Sequence, residues 1–282
     1  MKIVRTMVSA AACLSMLTAS AQAFHCPADT VKAMEIIRDF REPGADPSAK
    51  CGEIAMVFVG TPYEPVTEID SLAHNVIRLD AFDDMSFLNA VTAIARQAVS
   101  PGHIRPLEFS DELRNLTYRR GEDHGFPSKM VYAADWIVDN KSRGLVTEIT
   151  ENYSDSFKTK SLDFVTRNRG KYASLKDSST YEAQKMVEMG FRTHKIPHMK
   201  RESSGNKDVA ADLREGDIVM VMTNDPLLDT LTIGFLKKRD DGMHLIHVSR
   251  EAGKVVEEEE PLPRFMKRNA KNTYGWRWLR IL

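Results

Sequence analysis

Leu79-Asp80-Ala81-Phe82-Asp83-Asp84-Met85-Ser86-Phe87-Leu88-Asn89-Ala90-Val91-Thr92-Ala93-Ile94-Ala95-Arg96 is the stretch around which the rest of the chain is organised. Phe87, Leu88, Val91, Ile94, Ala95 and Ala98 recur at the spacing of one apolar helix face. The residues just before that face, Asp83 and Asp84, carry short acceptors that suit the free N–H groups of a first helical turn. Asp84 is expected to act as a stabilising N-cap. The same place is also where a helix best stabilises an anionic nucleophile, because its dipole and unpaired N–H groups point there.

Outward from this helix, the N-terminal side reads first as a leader. Lys2 and Arg5 precede a short apolar run from Met7 to Thr18, and Ala21-Gln22-Ala23 forms a small-residue cleavage site. Residues 1–23 are therefore expected to be a cleaved secretory signal, with cleavage near Ala23 and a periplasmic or secreted destination. Loss of Lys2 and Arg5 takes the basic count from 39 to 37 against 40 acidic residues, a net charge of −3. That balance argues against a nucleic-acid partner, and no later stretch is apolar enough for an integral membrane segment. Residues 24–282 are expected to form a single domain. Cys26 and Cys51 are expected to pair in an oxidising compartment, closing a loop of about 25 residues worth on the order of 3 kcal/mol.

Helices are expected from Asp29 or Thr30 through Phe40, from about Asp46 to Phe58, from Phe109 to Tyr118 and from Met130 to Asn140. Beyond Leu213 the period changes to two. Residues 217–222, 231–236 and 243–248 read as strands, with Asp240-Asp241-Gly242 as a hairpin turn. Lys254-Val255-Val256 and residues 276–281 are further strands, and Glu257 to Glu260 reads as a solvated turn. Helices first and an antiparallel sheet afterwards define an α+β fold.

In order along the chain, Gly60-Thr61-Pro62-Tyr63, Leu79-Asp80-Ala81-Phe82-Asp83, Leu116-Thr117-Tyr118-Arg119-Arg120-Gly121, Tyr132 with Asp135-Trp136-Ile137, Gly216-Asp217-Ile218-Val219, Leu228-Asp229, Gly234-Phe235 and the His247 strand form a set. The set resembles the bacterial N-acetylmuramoyl-L-alanine amidase-like family, a branch of the papain-like (NlpC-type) cysteine hydrolases that act on peptidoglycan. The resemblance implies a papain-like fold in which a cysteine at a helix start attacks an amide and a histidine on a strand takes its proton. In the family that helix begins Asp-Cys-x-Thr-Phe; here it reads Asp83-Asp84-Met85-Ser86-Phe87, so Asp84 stands at the nucleophile position. Thr232 stands at the base position, and His247 keeps the third. A carboxylate is a poor nucleophile toward an amide, and Thr232 does not titrate near neutral pH.

The resemblance thus implies an exported, catalytically inactive homologue of peptidoglycan amidases, with no cofactor. Its cleft would bind a cell-wall muropeptide or an envelope protein through candidates Tyr63, Asp83, Asp84, Tyr132, Trp136, Asp229, Thr232 and His247. Two alternatives stand beside it: a hydrolase acting through Asp84 or His247 by another mechanism, and a structural envelope protein with a closed cleft. A divalent metal among Asp83, Asp84, Asp229 and His247 lacks supporting ligand spacing. Arg119 and Arg120 read as structural ion-pair formers, and His194 and His198 flank an Ile196-Pro197 segment that resembles one near the family's cleft.

Overall fold

The structure, a computed structural model, describes residues 23–24, 26–65 and 76–282. Apart from Ala23, the expected signal segment lies outside the described residues. Five helices come first: α1 (Pro27–Asp39), α2 (Pro47–Val57), α3 (Asp84–Val99), α4 (Pro106–Thr117) and α5 (Ala133–Ser142). Two short strands, β1 (Ala23–Phe24) and β2 (Val76–Ile77), pair in parallel. Next come β3 (Val146–Glu148), β4 (Phe157–Thr159), α6 (Phe164–Arg167), α7 (Ser178–Gly190), β5 (Lys195–Pro197), β6 (Met199–Lys200) and α8 (Lys207–Asp212). The chain closes with β7 (Ile218–Thr223), β8 (Thr230–Arg239), β9 (Gly242–Ser249), β10 (Lys254–Pro261), α9 (Leu262–Arg268) and β11 (Thr273–Ile281).

The main sheet runs in the order β10-β9-β8-β7-β11-β3, with β6 also on β11, and every pairing in it is antiparallel. The fold is α+β, as the change of period predicts. Side chains alternate across the sheet. Ile233, Phe235, Ile246 and Val248 turn toward the helices, where they share one core with Phe87, Val91 and Ile94 of α3. Leu236 and Leu245 turn the other way and meet Phe265 and Met266 of α9.

Helix α3 is held at its N-terminal end by a chain of aromatic edges. Phe82 lies 5.0 Å from Phe58 and 5.6 Å from Phe87, and Phe87 lies 5.7 Å from Phe235 of β8, all edge-on. Such pairs add about 0.5–1.5 kcal/mol each beyond the area that they bury. At the start of the sheet the backbone makes an approach that only glycine permits. Gly216, just before β7, has φ +82°, and a Cβ there would stand 1.8 Å from the carbonyl oxygen of Ser48 in α2. That glycine lets α2 rest directly on the start of the sheet.

Several expectations need correction. Asp83, and not Asp84, is the N-cap of α3: its backbone is extended, and its Oδ1 accepts from the Ser86 N–H at 2.7 Å. The Ser86 hydroxyl accepts from the Asp83 N–H in return, at 2.9 Å. The N-cap of α1 is Cys26, one turn earlier than expected, with Pro27 at the first helical position. Glu257 to Glu260 belong to β10 rather than to a turn; an edge strand tolerates, and is protected by, such charge.

Cys26 and Cys51 are both free thiols. The Cys26 thiol donates to Asp29 in its own first turn, and the buried Cys51 thiol donates to the Pro47 carbonyl of α2, each at 3.4 Å. Each sulfur is thus turned into its own helix, and the expected disulfide is not formed. Strand β3, three residues long, enters the sheet from the helical half without a sequence signal; Arg277 of β11 and Glu148 pair there through two bonds of 2.7 and 2.8 Å.

Candidate functional site

Freed from capping, Asp84 begins α3 with its side chain turned to the sheet. Its Oδ1 accepts from the Thr232 hydroxyl at 3.0 Å and from the Ile233 N–H at 3.2 Å. Its Oδ2 accepts from Arg250 Nη2 at 3.1 Å. Burial pushes the Asp84 carboxyl above its ordinary value; the Arg250 charge and the bonds from Ile233 and Thr232 pull the other way without cancelling that rise.

Behind Asp84 the contacts continue in series. A hydroxyl carries one proton and two lone pairs, and Thr232 Oγ1 also lies 2.9 Å from Nδ1 of His247. Nε2 of His247 lies 2.8 Å from Glu258 Oε1, and the other Glu258 oxygen receives Arg268 of α9. Burial pushes the Glu258 carboxyl up, but the bonds from His247 and Arg268 outweigh it and hold the group below its ordinary value. The His247 ring also meets Phe265 edge-on at 5.5 Å, so it sits on the α9 face of the sheet. Both of its nitrogens are engaged and neither faces open space.

A cavity of about 490 Å³ lies in front of Asp84. Of the residues singled out by sequence, Tyr63, Asp83, Asp84, Tyr132 and Asp229 line it, and Trp136, Thr232 and His247 do not. Trp136 is fully buried, its indole N–H donating to Asn89 at 2.8 Å, and belongs to the core. The Tyr132 hydroxyl donates to Glu188 at 2.8 Å and accepts from the Val165 N–H at 3.1 Å, so it props the wall of the cavity. Asp229 is buried and spends its oxygens on the N–H groups of Ala134 and Thr230, at 2.7 and 3.0 Å.

Sequence reading missed the cationic and aromatic groups that complete the lining: Arg250, Lys171, Lys129, Arg78 and Tyr172. Only Arg250 carried a usable signal, standing three residues beyond His247 at the end of its strand. Arg119 pairs with Asp135 at 2.5 Å, the structural role expected of it, away from the cavity. His198 packs edge-on against Tyr274 at 4.8 Å, and neither it nor His194 reaches the lining. Among the described residues, no three His, Cys, Asp or Glu side chains gather in a way that could hold a metal ion. No helix among them is long and apolar enough to cross a membrane.

The fold that carries this site is shared with known proteins. The chain belongs to the N-acetylmuramoyl-L-alanine amidase-like (AmiA-like) family, which it matches over residues 53–273. Its fold is similar to that of an N-acetylmuramoyl-L-alanine amidase from Bacteroides uniformis, with a TM-score of 0.73 and 24% identity over 83% of this chain and 99% of that one. It is also similar to a protein of Bacteroides fragilis named as a candidate xylanase (TM-score 0.72, 27% identity, 82% of this chain and 100% of that one). Protein LPG0564 of Legionella pneumophila shares the fold at 16% identity, with a TM-score of 0.65 over 90% of this chain and 94% of that one. No curated protein sequence matches the chain.

Proposed function

We propose that this chain is an exported, non-catalytic member of its family that uses the cavity before α3 to bind a fragment of peptidoglycan. The observation that carries this reading is the engagement of Asp84, whose carboxylate is bonded by Thr232, Ile233 and Arg250. The papain-like resemblance puts the nucleophile of amide hydrolysis at residue 84 and its base at residue 232. A carboxylate at the first position is a poor nucleophile toward an amide, and a threonine at the second accepts no proton at neutral pH. His247 does not replace the base, since both its nitrogens are engaged and it is absent from the cavity lining. The open cavity speaks against a purely structural role with a closed cleft. Membership of the N-acetylmuramoyl-L-alanine amidase-like family supports a cell-wall ligand.

The test is to incubate the purified protein with peptidoglycan and follow soluble products by mass spectrometry, alongside calorimetric titration with muropeptides. Binding without turnover is the expected result. Turnover that disappears in Asp84→Ala would overturn the reading and establish a hydrolase acting through that carboxylate.

A further inference from the structure

We infer that the cavity selects the acid form of its ligand, a carboxylate freed by amide hydrolysis, and reads it through Arg250. The inference rests on the binding role proposed above and adds to it the chemistry of the ligand. When water adds across an amide, the C–N bond breaks and a C–O bond forms. The acyl side leaves as a carboxylate once its proton is lost, and the amine side leaves as an ammonium. An uncleaved amide is neutral at that carbon; the product carries a full negative charge there.

The acidic groups of the cavity are already committed. Asp83 caps α3, Asp84 is bonded by Thr232, Ile233 and Arg250, and Asp229 holds two backbone N–H groups. Arg78 is paired with Glu64 and Asp80, but two other cations of the lining are not used up in the same way. Arg250 stands in the turn after β9 with 56% of its side chain exposed and reaches Asp84 through Nη2 alone. The rest of its donor fork is open for a second carboxylate, the geometry that guanidinium serves best. Lys171 also lines the cavity, its ammonium lying 5.8 Å over the Phe164 ring. The Tyr172 hydroxyl, pushed up to about 12 by burial, stays a protonated donor on the same lining.

Asp84 thus anchors a cation where the family resemblance puts a nucleophile. A thiolate there would attack an acyl carbon, expel the amine and leave a thioester; an anchored guanidinium instead binds the carboxylate that water releases from such a thioester. On this reading the chain acts after an amide hydrolase, on its acidic product.

Calorimetric titration with N-acetylmuramic acid and with its neutral methylamide tests this directly. Acetyl-L-alanyl-D-glutamate and its diamide form a second pair, so that a sugar carboxylate is distinguished from a peptide one. At least one acid should bind about tenfold to a hundredfold more tightly than its amide, the range for a charge-assisted bond. Arg250→Met should abolish that preference, and Arg250→Lys should restore part of it. If Arg250→Met does not fold, Tyr172→Phe, which leaves the Asp84 pair intact, should still weaken the acid more than the amide. Amides that bind as tightly as acids would overturn the inference while leaving the binding role standing. Absence of binding by all four probes and by muropeptides would overturn both.

Discussion

The sharpest expectation concerns two substitutions at one atom set. Asp84→Ala removes the acceptor of the Ile233 N–H and of the Thr232 hydroxyl. The hydroxyl can turn to Nδ1 of His247, 2.9 Å away, but the backbone N–H is left buried and unpaired. That costs about 1–3 kcal/mol. Asp84→Asn keeps an oxygen toward both donors and loses only the contact with Arg250, whose side chain is 56% exposed and free to move into water. The guanidinium end of the pair is screened by water, so losing this contact costs roughly 0–1 kcal/mol. The amide also removes a carboxylate whose burial opposes ionisation. Asp84→Asn should therefore match or exceed the native protein in stability at neutral pH, while Asp84→Ala should lie about 1–3 kcal/mol below Asp84→Asn, or roughly 2–12 °C in Tm. The pH dependence has a definite sign. A carboxyl raised in the folded state binds protons more tightly folded than unfolded, so the native protein loses stability relative to Asp84→Asn as pH rises above the ordinary value of 3.8. Urea unfolding at about pH 4 and about pH 7 measures that gap. An Asn variant as unstable as the Ala variant, or a gap that narrows with rising pH, would show that the charge of Asp84 and not its role as acceptor matters to the fold.

Three further outcomes follow from the geometry. Glu258 is held below its ordinary carboxyl value, so it contributes stability above pH 4.5 that is lost as pH falls through its lowered value; Glu258→Gln should be less stable at neutral pH, with the difference closing in acid melts. Iodoacetamide labelling mapped by mass spectrometry should modify Cys26 in the native protein and spare Cys51, whose thiol burial pushes far up; a Cys26–Cys51 peptide would contradict the structure. Asp84→Cys combined with Thr232→His should release more product from peptidoglycan than Asp84→Cys alone, and equal release would count against residue 232 as the base position.

Most of the framework was legible because it follows local rules. The 3.6-residue period marked α3, and short apolar, β-branched runs marked β7, β8 and β9, with a hairpin turn between the last two. What escaped depended on partners distant in sequence. Asp83 and Asp84 are equally good caps as letters; only the sheet, 148 residues later at Thr232, decides which of them turns inward. Arg250 and Glu258 carry no motif and acquire meaning by lying on either side of one polar series. Strand β3 is too short to show a period, and the second half of β10, beyond the expected strand at Lys254-Val255-Val256, hid behind its glutamates because an edge strand needs only one apolar face. The cysteine expectation rested on compartment chemistry, which says when a bond is stable but not where two sulfurs point.

The contact between Gly216 and Ser48 has a consequence for how the molecule is made. The Ser48 hydroxyl donates to the Gly216 carbonyl across 168 residues, and Asp84 meets Thr232 across 148. Native pairings of such range form late, because the loop they close must be ordered before they repay it. The N-terminal helices hold one wall of a core whose other wall is β7 to β9, so a growing chain can settle them only on one another until the last third has emerged. Slow, cooperative folding of the completed chain is the expected kinetic signature, with substitutions along the Gly216 seam mainly speeding unfolding.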